Sequence, residues 1–290
     1  MSTIEPRRVL VTGASGFNGR YVCAALTAAG HEAVPASERL DLASPDSIAQ
    51  ELDAAPFDDV IHLAAISFVG HDDAAGFYRV NTVGTLALLE ALAARGVTGR
   101  VIVASSANIY GNTDVLPIQE SAPSQPVNHY AASKAAMELL AARWTDRLSL
   151  TVTRPFNFTG RGQATYFLVA KIVDHFRRRA PEIELGNLDV ARDFSDVRDV
   201  ADVYVGLLGR AGGETVNICS GTAHSLAWVL DTCRELTGHD IAVRSNPAFQ
   251  RAAEVKTLVG SPAKLDALLG GAPRRPFRET LEWMLAEPLA

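Results

Sequence analysis

Tyr130 and Lys134 stand four residues apart in the run Tyr130-Ala131-Ala132-Ser133-Lys134. On a helix, positions i and i+4 share a face, so a phenol and an ammonium would lie side by side. A neighbouring cation favours the ionised phenol and is expected to pull its pKa down from about 10. Such a phenol can give or take a proton near neutral pH. Alone, the pair could equally be an ordinary surface contact. A third polar group changes its weight: Ser105-Ser106 closes an apolar run that reads as a strand, which puts a hydroxyl on the strand's C-terminal edge. Ser106, Tyr130 and Lys134 together make a set for hydride transfer at a carbonyl or carbinol. Ser106 would orient the oxygen and Tyr130 would move the proton. Lys134 would tune Tyr130 and hold a nicotinamide ribose.

A site for the dinucleotide is written at the start of the chain. Gly13-Ala14-Ser15-Gly16-Phe17-Asn18-Gly19 follows the apolar run Val9-Leu10-Val11-Thr12 directly. Gly13 allows a tight turn, Gly16 lets the backbone approach a pyrophosphate, and Gly19 lets the following helix pack closely on the sheet. The helix N-terminus adds amides and positive potential. The candidate cofactor contacts in this loop are Gly13, Ser15, Gly16, Phe17, Asn18 and Gly19. A carboxylate at the end of the next strand would suit the ribose of NAD, and an Arg the 2′-phosphate of NADP. That strand ends Pro35-Ala36-Ser37-Glu38-Arg39, with both signs side by side. Arg39, with no carboxylate at Ala36 or Ser37, tilts the expectation towards NADP(H) over NAD(H), though Glu38 and Arg39 could also be two solvated loop charges. Asp41 and Leu42 could then lie along the adenine.

The elements that must position these residues alternate. Strands are expected at Arg8–Thr12, His31–Ala36, Asp59–Leu63, Arg100–Ala104 and Leu150–Thr153. Helices are expected over Gly16–Ala29, Asp46–Ala54, about Ala74–Ala94, and Asn128–Arg147. The second helix carries Ser44 as cap and Pro45 at its first position. Apolar strands alternating with helices mean an α/β, doubly wound parallel sheet with the ligand site along the strand C-termini. After Arg154 the pattern turns irregular, with helices near Thr165–Arg178 and Val200–Gly209 and a strand at Thr215–Ile218. Shorter helices are expected near Ser225–Thr237, Pro262–Leu269 and Arg278–Leu285. The chain thus divides into a dinucleotide domain over residues 1–156, to which 193–221 return, and a smaller substrate lobe over 157–290.

Composition bounds the function. A net charge of −6 over 290 residues argues against nucleic acid or an anionic membrane as partner. Three scattered cysteines, Cys23, Cys219 and Cys233, have no metal-ligand spacing and form no disulfide framework, so no metal is expected. Met1 to Arg8 has no apolar signal region and no apolar run reaches the ~18 residues of a membrane span. The expected compartment is the cytoplasm. His62, at a strand end, reads as a packed histidine rather than a ligand.

The ordered motifs extend over essentially the whole chain. They are the glycine loop, His62-Leu63-Ala64-Ala65, Asn81, Ser105-Ser106-x-x-Ile109-Tyr110-Gly111 and Tyr130-x-x-x-Lys134. Arg154-Pro155-Phe156-Asn157, Arg192-Asp193-Phe194-Ser195-Asp196-Val197 and Asn217-Ile218-Cys219-Ser220-Gly221 follow. In this the chain resembles the extended short-chain dehydrogenase/reductases that act on nucleotide sugars. Within them it looks most like the GDP-4-keto-6-deoxy-D-mannose reductases, which make GDP-D-rhamnose. The chain departs from that group in two places: Asn18 replaces an apolar residue, and Ala107-Asn108 replaces Gly-Asp.

The resemblance implies further contacts. Leu63, Ala64, Ala65, Asn81, Ser105, Pro155 and Phe156 would line the cofactor, the last two at the nicotinamide carboxamide. Ser67, Phe68, Ser106, Asn108 and Tyr130 would face the sugar. Asn157 would touch the substrate pyrophosphate, and Lys171, Arg192, Arg251 and Glu254 the nucleotide end. Arg192 could instead pair with Asp193 or Asp196. The 4,6-dehydratases carry an acid two positions after the catalytic hydroxyl; Asn108 there argues against dehydration. The implied reaction is reduction of a nucleotide-bound 4-keto-6-deoxyhexose, with hydride to C4 and a proton from Tyr130. The alternatives are a 4-epimerase with tightly bound NAD and a non-catalytic NAD(P)-sensing regulator. A homodimer is implied through the helices at Ala74–Ala94 and Asn128–Arg147.

Overall fold

Val9–Val11, Val60–Ile61 and Val101–Val103 are at most 2% exposed, so the strands that carry them must be covered on both faces. The computed structural model describes residues 5–67, 73–210, 212–249 and 255–286. Phe68, Arg251 and Glu254 lie outside the described residues. The first half runs β1 (Arg8–Thr12), α1 (Phe17–Ala28), β2 (Glu32–Pro35), α2 (Pro45–Ala54), β3 (Asp59–His62) and α3 (Ala74–Phe77). It continues through a π-helical turn (Tyr78–Gly84) into α4 (Thr85–Ala94), then β4 (Arg100–Ala104), α5 (His129–Ala141) and β5 (Ser149–Pro155). The second half adds β6 (Asn157–Thr159), α6 (Leu168–Arg177), β7 (Glu182–Leu185), β8 (Ala191–Asp196), α7 (Val197–Leu208) and β9 (Thr215–Ile218). It closes with β10 (Ala223–Ser225), α8 (Leu226–Thr237), β11 (Ala242–Ser245), β12 (Thr257–Leu258), α9 (Ala263–Leu269) and α10 (Phe277–Leu285).

Six strands form one parallel sheet in the order β2-β1-β3-β4-β5-β9. Successive side chains alternate between its faces. Val9, Val11, Ile61 and Ile102 join α1 and α7 in one core, while Leu10, Val60, Val101 and Val103 join α2, α4 and α5 in the other. The order reverses direction between β1 and β3. A doubly wound sheet opens its ligand crevice at that point, beyond the strand C-termini. No helix among the described residues is long and apolar enough to cross a membrane.

Three elements differ from expectation. The helix at 74–94 is broken by the π-helical turn, which puts Asn81 and Thr82 inward as buried residues. The helix starting at Asn128, whose side chain accepts from the Ala131 N–H at 2.8 Å, ends at Ala141 and passes into a 3-10 turn over Ala142–Trp144. The region after Arg154 holds further strands besides the one expected and found at Thr215–Ile218. β8 pairs with β6, β10 and β12, and β7 pairs with β11. These strands have two to six residues, too short for a readable alternation. Beside them α6, α8 and α10 share a separate core with Phe194, Phe176 and Phe277.

Candidate active site

The loop after β1 is built to come close to something. Gly13 has φ +70°, and a Cβ there would lie 2.8 Å from the Ala64 amide nitrogen, so the β1 and β3 loops touch backbone to backbone. A Cβ on Gly19 would collide with the Gly13 carbonyl. Gly16 caps α1 without any side-chain hydrogen bond, so the first-turn amides keep their donors free. Ser15 and Gly16 are exposed, and the Asn18 Oδ1 is buried without a partner. Free amides and a cradle with no side chains fit a dinucleotide pyrophosphate, whereas the Asn18 oxygen, an acceptor, does not pair with its anionic oxygens. Phe17 is turned elsewhere: it stacks on Phe158 at 6.0 Å and meets Tyr21 edge-on, tying the loop's helix to β6.

At the end of β2, Ser37, Glu38 and Arg39 are exposed. Asp41 accepts from the Ala43 N–H at 2.9 Å and is exposed as well. Leu42 is 5% exposed and packed in the core against Gly84, so its side chain serves the sheet before any adenine.

After β3, hydrogen bonds fix the chain over Leu63, Ala64 and Ala65. The Asn81 carboxamide pairs with both backbone groups of Ile66, at 2.9 and 3.0 Å, and also donates to Ser133 Oγ at 3.1 Å. His62 is 1% exposed, between Thr12 at 2.6 Å and Thr85 at 3.0 Å. Thr85 gives its proton to the Asn81 carbonyl and Thr12 accepts the Ala64 N–H. His62 therefore donates from Nε2 to Thr85 and accepts from Thr12 at Nδ1. Burial, then the Lys134 charge, hold it neutral, with a pKa of about 3. Ser67 is exposed beyond this brace.

The β4 end and α5 bring the three central groups together. Ser106 is 6% exposed and its Oγ accepts from the Asn108 N–H at 3.2 Å and from Asn108 Nδ2 at 3.3 Å. With its lone pairs taken, Ser106 has its one proton to offer into the site, on the side of Tyr130, whose ionised form that hydroxyl favours. Lys134, 3% exposed, donates from Nζ to the Ala104 carbonyl at 2.7 Å. The neighbouring Ser105 Oγ is buried without a partner. Tyr130 itself packs edge-on against Phe77.

The electrostatics correct one expectation. The Tyr130 phenol is pushed up, not down: burial dominates, and the hydrogen bond from Ser106 offsets only part of it. Burial likewise pulls Lys134 down, to about 8, against the Glu138 charge. Sharing a helix face puts the cation nearby, but both groups sit where charge itself is costly.

Across the crevice, Pro155 ends β5 and Phe156 is 4% exposed, its ring filling the space a Cβ on Gly260 would need. Asn157 Nδ2 is buried without a partner at the start of β6. Arg192 donates to the Ala191 carbonyl at 2.9 Å and the Lys256 carbonyl at 3.0 Å. The aspartates near it have other work. Asp193 accepts from Ser220 and from the Gly221 and Gly260 amides, while Asp196 pairs with Arg198 at 2.6 Å. Lys171 points to the Glu184 carbonyl at 2.6 Å and over the Phe249 ring. Among the described residues no group of three His, Cys, Asp or Glu is placed to hold a metal ion.

Residues with no role in the site assigned from the sequence turn out to organise it. Thr12, Thr85 and Ser133 hold the β3 loop, and Asp193 ties β8 to the turns after β9 and β12. The signal of Thr12 and Thr85 in the sequence was only a polar residue beside an apolar run, and Asp193, among charged neighbours, gave none.

Comparison with known proteins gives a consistent picture. A family model described as the NAD dependent epimerase/dehydratase family matches residues 9–219. The GDP-6-deoxy-D-talose 4-dehydrogenase of Aggregatibacter actinomycetemcomitans is 36% identical over 268 residues, 91% of this chain and 91% of that protein. The GDP-6-deoxy-D-mannose reductase of Pseudomonas aeruginosa is 35% identical over 295 residues, 97% of each chain. Among solved structures, RMD from Pseudomonas aeruginosa complexed with NADPH matches with TM-score 0.89 at 35% identity, over 97% of this chain and 98% of that one. The Thermus thermophilus UDP-glucose 4-epimerase complexed with NAD matches with TM-score 0.85 at 28% identity, over 96% and 97%.

Proposed function

The chain belongs to the NAD dependent epimerase/dehydratase family, and we propose that among these NAD(P)-binding enzymes it is a reductase of a nucleotide-activated 4-keto-6-deoxyhexose, of the GDP-4-keto-6-deoxy-D-mannose to GDP-D-rhamnose type. The observation that carries this reading is the meeting of the buried Ser106 at the end of β4 with the buried Tyr130 of α5, with Lys134 anchored to the Ala104 carbonyl at the same strand end. When bound, NAD(P)H supplies the hydride that reduces the C4 carbonyl. Tyr130, kept protonated by burial, gives its proton to the C4 oxygen. Ser106 donates to the same oxygen, and the Lys134 ammonium adds positive charge as the oxygen gains electrons. Asn108 offers no acidic proton for eliminating water between C5 and C6, and its carboxamide is engaged with Ser106.

In this reading residues 1–156, with 193–221, hold the dinucleotide, and the rest of 157–290 holds the nucleotide sugar. Asn157 and Arg192 face the substrate's phosphates and base, and Ser105 and Phe156 face the nicotinamide. The exposed Arg39 supports NADP(H). Arg39→Ala is expected to weaken NADPH binding about tenfold, the loss of roughly one charge-assisted hydrogen bond. NADH binding should stay unchanged, and equal losses for both cofactors would remove the assignment. Leu139 (77% exposed), Leu140 and Val83 (58% exposed) leave apolar surface on α5 and the adjoining π-helical turn. That surface supports a homodimer through α4 and α5. Light scattering should give twice the chain mass, and a monomer mass would contradict it.

The family description also covers epimerases, and the match to an NAD-complexed 4-epimerase favours a second reading. Two observations on purified protein separate them. A reductase consumes added NADPH when given the keto-sugar, binds GDP more tightly than UDP, dTDP or CDP, and carries little cofactor. An epimerase carries stoichiometric NAD and works without any added.

A further inference from the structure

Glu138 lies one turn beyond Lys134 on the same face of α5. Its side chain is 12% exposed and gripped by Arg154 of β5. Arg154 Nη2 donates to Oε2 at 2.6 Å, and Nε donates to the two oxygens at 3.0 and 3.1 Å. Arg154 Nη1 is used as well, on the Tyr110 hydroxyl and the Glu120 carbonyl, both at 2.9 Å. Tyr110 passes its own proton to Asn217 Oδ1 at 2.6 Å, and Asn217 is fixed by Glu120 and Ile118. One carboxylate is thus held from α5, β5, β9 and the 107–120 segment. A surface ion pair needs no such support.

Lys134, by contrast, is a buried ammonium whose only hydrogen bond among the described residues is to Ala104. A charge buried with one neutral acceptor tends to shed its proton. We propose that Glu138 is a positioning residue for Lys134: fixed by Arg154, its carboxylate keeps the Lys134 ammonium charged inside the closed site. The inference rests on the role of Lys134 in the proposed reaction. It agrees with the direction of the Lys134 shift, where burial lowers the pKa to about 8 and Glu138 pushes it back up.

The other groups around Lys134 cannot do this. His62 on β3 is held neutral. Tyr130 on α5 and Tyr110 on the 3-10 turn Ala107–Tyr110 are both raised by burial and uncharged at neutral pH. Arg154 is a cation, and Glu120 meets the network on its far side, at the Asn217 amide. Arg79 pairs with Asp73 and Tyr78 with His129, while Glu90 on α4 and Arg143 after α5 are exposed.

The chain has only four lysines, Lys134, Lys171, Lys256 and Lys264, so lysine labelled with carbon-13 at Cε gives four signals, and Lys134→Arg identifies one. Titrating the cofactor-free full chain reads the Lys134 midpoint directly, without turnover. Glu138→Gln is expected to lower it by about one unit or more, the effect of one nearby charge at intermediate dielectric. Arg154→Gln, which frees the carboxylate from its cation, is expected to raise it. The double variant should fall between Glu138→Gln and the parent chain. A structural role alone would leave the midpoint still, so an unmoved midpoint in folded variants overturns the proposal. If Glu138→Gln fails to fold by circular dichroism, the double variant decides: a midpoint below that of Arg154→Gln supports the proposal, and an equal midpoint overturns it. A shifted midpoint combined with full turnover in Tyr130→Phe would leave this inference standing and sink the reaction assigned to the site.

Discussion

Tyr130→Phe is expected to cut kcat by about 10²- to 10⁴-fold, the range a positioned proton donor supplies. The Phe ring keeps the edge-on contact with Phe77, and the glycine loop lies on other elements. NADPH affinity and thermal stability should therefore stay close to the parent values. The pH profile sharpens the expectation. Tyr130 is raised by burial, so it holds its proton through neutral pH, the form a reduction needs. Burial lowers Lys134 to about 8, and in the proposed reaction its ammonium is the form that stabilises the developing alkoxide. The rate of the unaltered enzyme should be level around neutrality and fall as pH rises past about 8, through loss of the Lys134 proton. Near-normal turnover in Tyr130→Phe would mean that another group delivers the proton.

Asp196→Ala is expected to destabilise the fold by on the order of 3 kcal/mol, the cost of breaking a largely buried ion pair together with a helix cap. Asp196 is 1% exposed and ends β8. It caps α7 through the Arg198 N–H at 2.8 Å, pairs with the Arg198 guanidinium, and accepts from Thr280 of α10 at 2.8 Å. One carboxylate so joins the small sheet, a helix of the main domain and the last helix. The melting temperature should drop by about 6 °C at neutral pH, taking roughly 2 °C per kcal/mol for a chain of this size. The sign with pH follows from the shift. The folded-state pKa lies below the usual aspartate value, mainly through the bonds from Arg198 and Thr280, which outweigh burial. The stability is therefore present above the unfolded pKa near 4 and is lost as pH falls through the folded value. The gap between the two proteins should close in acid. A gap that stays constant from neutral to acid pH would assign the loss to packing alone.

The central sheet was legible because its strands are buried on both faces and its helices carry their own stop signals. Arg8–Thr12 and Arg100–Ala104 have the bounds read from their apolar runs, and Ser44 with Pro45 marks the start of α2. The strands of the second half were not legible. β6, β10 and β12 are two or three residues long and depend on pairing with β8 rather than on any pattern of their own. The π-helical turn was hidden for a related reason. Tyr78–Gly84 carries helix-compatible residues, and what sets Asn81 inward is its bonding to Ile66 and Ser133, which are distant in sequence.

The site shows the same division. Spacing brought Ser106, Tyr130 and Lys134 together correctly as neighbours, since a strand end and a helix face are local features. Spacing could not give the direction of the Tyr130 shift, because that depends on how much chain closes over the phenol. Nor could it foresee that Lys171 turns to the Glu184 carbonyl, a contact made across the lobe. Asn18 is the instructive residue in the glycine loop. Its departure from an apolar type is visible in the sequence, and its buried oxygen without a partner appears only once α1 is packed.

In the proposed reaction this chain delivers a hydride to the C4 carbonyl of a nucleotide-linked keto-sugar while Tyr130 supplies the proton. The most direct measurement uses NADPH carrying deuterium at both nicotinamide C4 positions, incubated with GDP-4-keto-6-deoxy-D-mannose, with the sugar product read by NMR. One deuterium is expected at C4 of the product for each NADPH consumed, with transfer slowed by about 10²- to 10⁴-fold in Tyr130→Phe. Product without deuterium, or 4-epimers interconverting while NADPH is left unconsumed, would contradict the proposed reaction.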